Sequence, residues 1–229
     1  MKTLITLLVA LFYSTHLFSQ FFTSTRINLS KDIVYEKYSG KRLSEEELLQ
    51  IFKEKDNTRL DPVINKFGEP DYYIYDPNKS DSNYDTDLTK RTKSGETFPP
   101  FVMKTIDNKL IDSEKFNEKY IIMQFQLSFV KPFFNSDNFR DADILIKELL
   151  NEYEIVPIVI TGSPKKDILN VIDTSQYNMH FVSDANNFNL RYLVFKFPTY
   201  ILIDKSGKLV SYYEYNELNK IKEYIVKNK

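Results

Sequence analysis

The chain offers few side chains able to make or break bonds. Ser128, Lys131 and Asp204 are the polar residues near an otherwise apolar stretch, Phe125 to Phe134, which reads FQLSFVKPFF, or near the turn that follows "YILI". A serine acts as a nucleophile only with a base in hydrogen-bond reach and a third group that orients the base. Beyond the N-terminal apolar run the only histidine is His180, in the strand-like segment "MHFVSD". No motif surrounds it, so a structural or surface role is the favoured reading. Asp204 and Lys205 precede Gly207, and turn chemistry accounts for that spacing.

The chain of 229 residues contains no cysteine. This removes disulfides, zinc thiolate sites, iron–sulfur clusters and cysteine nucleophiles together. With one histidine left, a transition-metal site has too few ligands, and no metal or cofactor is expected. Asp81, Asn83, Asp85 and Asp87 alternate as calcium-loop ligands do. However, Thr86 stands where such a loop needs glycine and Thr92 where it needs a bidentate glutamate, so a solvated acidic loop is the expectation.

The elements that must position these residues follow from pattern. Arg42 to Lys55 reads as a helix, with Ser44 and Glu47 spaced as a capping box and Leu48, Ile51 and Phe52 on one face. Tyr72 to Tyr75 is strand-like. Tyr120 to Phe129 and Ile155 to Gly162 are apolar enough to be strands buried on both faces. Between them Ala142, Leu145, Ile146, Leu149, Leu150 and Tyr153 mark a helical face. Ser163 is placed to cap a further helix with Pro164 in its first turn. Thr199 to Tyr215 reads as two antiparallel strands joined at Lys205–Gly207, and a closing helix carries Leu218, Ile221, Tyr224 and Ile225 on one face. Strands alternating with helices require a sheet containing parallel pairs and covered on both sides.

Hydrophobic residues make up 42% of the chain and charged residues 28%, so a globular core is expected. The 31 Lys and Arg against 32 Asp and Glu argue against a nucleic-acid or membrane-surface binder. The first nineteen residues read as a signal peptide: Lys2, a short apolar run, then Ser19–Gln20. Leu17 is larger than the cleavage pattern prefers, which leaves an uncleaved anchor as the alternative. After cleavage no stable membrane span is expected. The organisation expected is a signal at 1–19, a small α+β appendage at 20–76, a polar linker at 77–96 and a main domain at 97–229.

The main domain resembles the thioredoxin-like superfamily, in particular the exported redoxins of the peroxiredoxin and thiol-reductase type. The resemblance lies in "GETFPPFVMKTIDNKLI", "YIIMQFQLSF", "FVKPFF" and, most specifically, "VFKFPTYILIDKSGKLV", with Pro198 as the cis-proline candidate. It implies a three-layer α/β sandwich with a central mixed sheet. It also implies that Val130 and Phe133 occupy the positions of the two redox cysteines, with Lys131 and Pro132 between them and Phe129 in place of a tryptophan. Neither valine nor phenylalanine can form the thiolate that the family's reaction needs.

The expectation is therefore an exported, periplasmic or secreted, redox-inactive protein that binds a protein or an extended peptide. Its contacts would come from Phe129, Val130, Lys131, Pro132 and Phe133 beside Phe197, Pro198 and Thr199. The competing reading buries the loop phenylalanines as core. Two further alternatives are a redoxin-related envelope enzyme with a non-thiol site and a structural envelope protein acting through its appendage.

Overall fold

A computed structural model describes residues 28, 31–55, 58–79 and 87–228. The signal segment at 1–19 and Asp81, Asn83, Asp85 and Thr86 of the acidic loop lie outside the described residues. Chain contacts divide the molecule into residues 1–32 and 33–229. In the first unit, the amides of Lys31 and Asp32 donate to the Asn28 carbonyl.

The second unit opens with a three-stranded sheet. Its strands are β1 (Val34–Glu36), β2 (Leu60–Ile64) and β3 (Pro70–Tyr75), in the order β1-β3-β2. Helix α1 (Glu45–Glu54) lies between β1 and β2 and starts as the capping box requires. The Glu47 amide donates to Ser44 Oγ at 3.2 Å, and the Ser44 amide donates to Glu47 Oε2 at 3.0 Å. A short hairpin follows, β4 (Val102–Lys104) with β5 (Leu110–Asp112).

The central sheet has five strands: β6 (Tyr120–Gln126), β7 (Ile155–Thr161), β8 (His180–Val182), β9 (Thr199–Ile203) and β10 (Leu209–Glu214), in the order β10-β9-β6-β7-β8. β6, β7 and β8 run parallel, β9 lies antiparallel to β6, and β10 antiparallel to β9. Every residue of β6 and β7 is buried, as their unbroken apolar character requires of strands covered on both faces. Four helices complete the domain: α2 (Ser136–Leu150), α3 (Lys165–Val171), α4 (Asn186–Arg191) and α5 (Leu218–Lys227).

Alternation along β6 divides the core. Tyr120 and Ile122 pack with Ala142, Leu145 and Leu149 of α2 and Ile221 and Ile225 of α5. Ile121, Met123 and Phe125 face the other way, toward Met103 and Ile111 of the hairpin and Phe188 of α4. A β-α-β unit joined to an antiparallel hairpin and a closing helix, in this strand order and with helices on both faces, is the thioredoxin-like three-layer arrangement.

Two local expectations are corrected, and one element was not expected. Ser163 does not cap α3: Pro164 is the N-cap residue and makes no side-chain cap bond, which leaves Ser163 one position outside the helix. α2 ends at Leu150, so Tyr153 packs from the turn beyond it. Helix α4, absent from the sequence pattern, joins the three-stranded sheet to the rest. Arg191 donates through Nη1 to the Ile64 carbonyl and through Nη2 to the Pro100 carbonyl, and Asn187 Nδ2 donates to the Gly68 carbonyl at 2.8 Å.

In the segment 87–96, Asp87 caps a single 3-10 turn. The Arg91 guanidinium lies 4.4 Å from the Tyr212 ring centroid and donates through Nε to the Leu193 carbonyl at 3.0 Å. Gly95 and Glu96 exchange backbone bonds with Leu209 at the edge of β10.

Candidate functional site

The loop at the end of β6 and the proline segment before β9 share one end of the sheet. Phe125 pairs with Thr199, so the chain leaves β6 into the loop where Phe197–Pro198 delivers it into β9. The Lys131–Pro132 and Phe197–Pro198 peptide bonds are both cis. Gln126, buried at the end of β6, donates through Nε2 to the carbonyls of Ser128 (3.3 Å) and Phe133 (3.2 Å) and ties the two ends of the loop together. Thr199 is buried and donates through Oγ1 to the Lys196 carbonyl at 2.8 Å.

The loop divides between core and surface. Phe129 is fully buried; its ring stacks on Phe134 at 4.8 Å and meets Phe139 edge-on at 5.6 Å. Its amide donates to Ser163 Oγ at 2.8 Å. Val130 and Phe133 turn outward and are 47% and 46% exposed. Lys131 and Pro132 between them are also exposed. Phe129 and Phe134 are therefore core, while Val130 and Phe133 remain at the surface.

The residues weighed for non-thiol chemistry are occupied elsewhere. Ser128 Oγ lies 3.2 Å from Ser163 Oγ and accepts from the Val130 amide at 3.1 Å. Asp204 closes its turn, accepting through Oδ1 from the amides of Ser206 (2.8 Å) and Lys208 (3.0 Å). His180 is half-buried at the start of β8, with Asp107 and Lys109 as its charged neighbours. Burial holds its imidazole below the ordinary range; Asp107 opposes that shift and Lys109 adds to it. None of these contacts builds a nucleophile, base and orienting group in one place.

Two concavities among the described residues bear on the site. A groove of about 410 Å³ runs along Lys196, Phe197 and Pro198, with Glu214, Tyr215 and Asn216 on its far side. No hydrogen bond from the described residues reaches the Phe197 main chain. A larger cleft of about 740 Å³ opens at the edge of the sheet, where β8 pairs with only Ile158–Ile160 of β7. Leu150, Ile155, Pro157 and Met179 line it, with Asp107 and His180 among its polar residues. The groove is the smaller of the two, but it sets the Phe197 main chain, without a partner among the described residues, at the same end of the sheet as the exposed Val130 and Phe133. The cleft brings together no reactive set. The sequence pattern missed Gln126, the bond from Phe129 to Ser163 and the groove wall at Glu214–Asn216. A glutamine ending an apolar strand was the one available signal.

The chain matches no protein-family model and no curated protein. Among solved structures it is similar to a thiol-disulfide oxidoreductase from Bacteroides fragilis, at 19% identity over 56% of this chain and 99% of that one, with a TM-score of 0.49. It is similar to the thioredoxin domain of a thiol-disulfide oxidoreductase from Bacteroides vulgatus, at 16% identity over 58% and 97%, TM-score 0.46. It is also similar to the exposed lipoprotein thioredoxin of Streptococcus pneumoniae, at 23% identity over 54% and 98%, TM-score 0.43. The likeness is one of chain path and not of activity. The chain has a thioredoxin-like fold and no thiol. Among the described residues no helix is long and apolar enough to cross a membrane.

Proposed function

We propose that this chain is an exported, redox-inactive thioredoxin-fold protein that binds an extended segment of a protein partner. The binding face is the outer half of the loop, Val130 to Phe133, with the groove along Phe197–Thr199. The observation that carries this reading is the exposure of Val130 and Phe133 at the sheet end where, among the described residues, nothing pairs with the Phe197 main chain. An extended segment supplies main-chain partners and apolar side chains together, as in strand-addition recognition. Export rests on the N-terminal pattern of Lys2, a short apolar run and Ser19–Gln20. The test is affinity capture from the native envelope by the wild-type chain and by Phe133→Asp. Loss of one specific protein from the variant, with its thermal midpoint kept, supports the reading. Capture that is unchanged counts against it.

A further inference from the structure

We propose that the cleft at the β8 edge is a second binding site, which takes one apolar residue of an extended peptide through the main chain of Ile155. The site is independent of the reading above and lies at the other end of the β6–β7 ladder. Ile155 pairs with Tyr120 there, whereas Gln126, where the loop begins, pairs with Thr161. The Tyr120 amide donates to the Glu154 carbonyl at 3.0 Å. Alternate residues of a strand turn their main-chain groups to opposite sides, so this bond directs those of Ile155, Pro157, Val159 and Thr161 away from β6. The Thr161 carbonyl follows that rule and accepts from the Ala185 amide at 2.9 Å on the far side. β8 reaches back only to His180, opposite Ile158. Among the described residues nothing therefore pairs with the N–H and C=O of Ile155, although the residue is buried.

Buried main-chain groups in folded proteins find a partner, in the chain, in ordered water or in a ligand. Water would satisfy these two but leave the walls of the cleft wet. Leu150, Pro157, Tyr177 and Met179 make those walls apolar around a volume of about 740 Å³, ample for a leucine-sized side chain. The Ile155 side chain itself packs in the core with Tyr120 and Leu149, so its main chain is what it offers the cleft. A donor and an acceptor on one strand residue match one residue of an antiparallel extended peptide, which exchanges both bonds with it. Pro157 has no N–H to continue the exchange, which limits the match to a single residue. Asp107 and Lys109, the charged lining residues, pair with each other at 2.8 Å, and the occupant that fits is neutral.

The test titrates N-acetyl-leucine-N′-methylamide into the isotope-labelled full chain, beside the analogue in which an ester oxygen replaces the leucine N–H. The amide resonances of Ile155 and Met179 are expected to move. The amide compound is expected to bind about three- to tenfold more tightly than the ester, the value of one hydrogen bond. Phe133→Asp is expected to leave both affinities unchanged, which separates this site from the loop face. Equal affinity of the two compounds, shifts centred on Phe197 instead of the cleft, loss of binding in Phe133→Asp, or no shift up to the solubility limit would each overturn the inference.

Discussion

Phe129 and Phe133, four residues apart on one loop, face opposite environments: the first has no solvent exposure and the second is 46% exposed. Phe129 ties the loop to the core through Phe134, Phe139 and Ser163. The loop after β6 is therefore anchored on one side and free on the other, and substitutions at the two positions should separate stability from binding.

Phe129→Ala is expected to destabilise the domain by about 3–5 kcal/mol, the scale for emptying a packed aromatic site. Phe133→Asp is expected to change stability by no more than about 0.5 kcal/mol, as an exposed substitution. Urea unfolding of the two variants, followed by circular dichroism, checks both values.

Ser163 holds the loop from the turn that follows β7. Its hydroxyl accepts from the buried Phe129 amide. Ser163→Ala leaves that amide without its partner and is expected to cost about 1–3 kcal/mol. Amide exchange at Phe129 should rise more than exchange in β9, which shows that the loss is local.

Gly68 carries the contact between the three-stranded sheet and α4. It sits at φ +78°, and a Cβ there would lie 2.7 Å from Phe188 Cε2. Gly68→Ala is expected to cost about 1–3 kcal/mol from the backbone conformation, and more if the ring cannot move aside. Hydrogen exchange should then speed up in β2 and β3 more than in β6 and β7.

His180 gives the domain a pH dependence of definite sign. Burial keeps its folded pKa below the ordinary value, so the unfolded chain takes up the proton first as pH falls. Stability is full above about pH 6.5 and is lost as pH drops through the lower folded pKa. Asp107, held at about 2 by Lys109 and Thr105, stays ionised across that window and does not contribute to the slope. His180→Gln should flatten the fall in unfolding free energy between about pH 6.5 and 5, measured by urea titration.

Much of the fold was legible because its signals are local. The capping box at Ser44 and Glu47, the apolar runs of β6 and β7, and the Gly207 turn each need only a few neighbouring residues. Helix α4 was not legible: its six residues include three asparagines, no side-chain cap and a single buried aromatic, Phe188. β1 is three residues long and β2 contains Pro62, so neither shows a period. The sharing of the loop between core and surface was also hidden. Which phenylalanine turns inward is set by Phe139, Phe181 and Ser163, and the last two are more than thirty residues away along the chain. The proline segment was legible as a segment, but the groove wall at Glu214–Asn216 depends on how β10 ends.

The most direct test of the central claim replaces Phe133 in the full chain with a photo-cross-linking phenylalanine analogue and illuminates it in the native envelope. The same analogue at Leu110, which is 72% exposed on the β4–β5 hairpin, serves as the control. The account predicts one discrete protein adduct at position 133 that is absent at position 110, with the adduct mapping to an extended segment of the partner. No adduct at 133, or the same adducts at both positions, would contradict it.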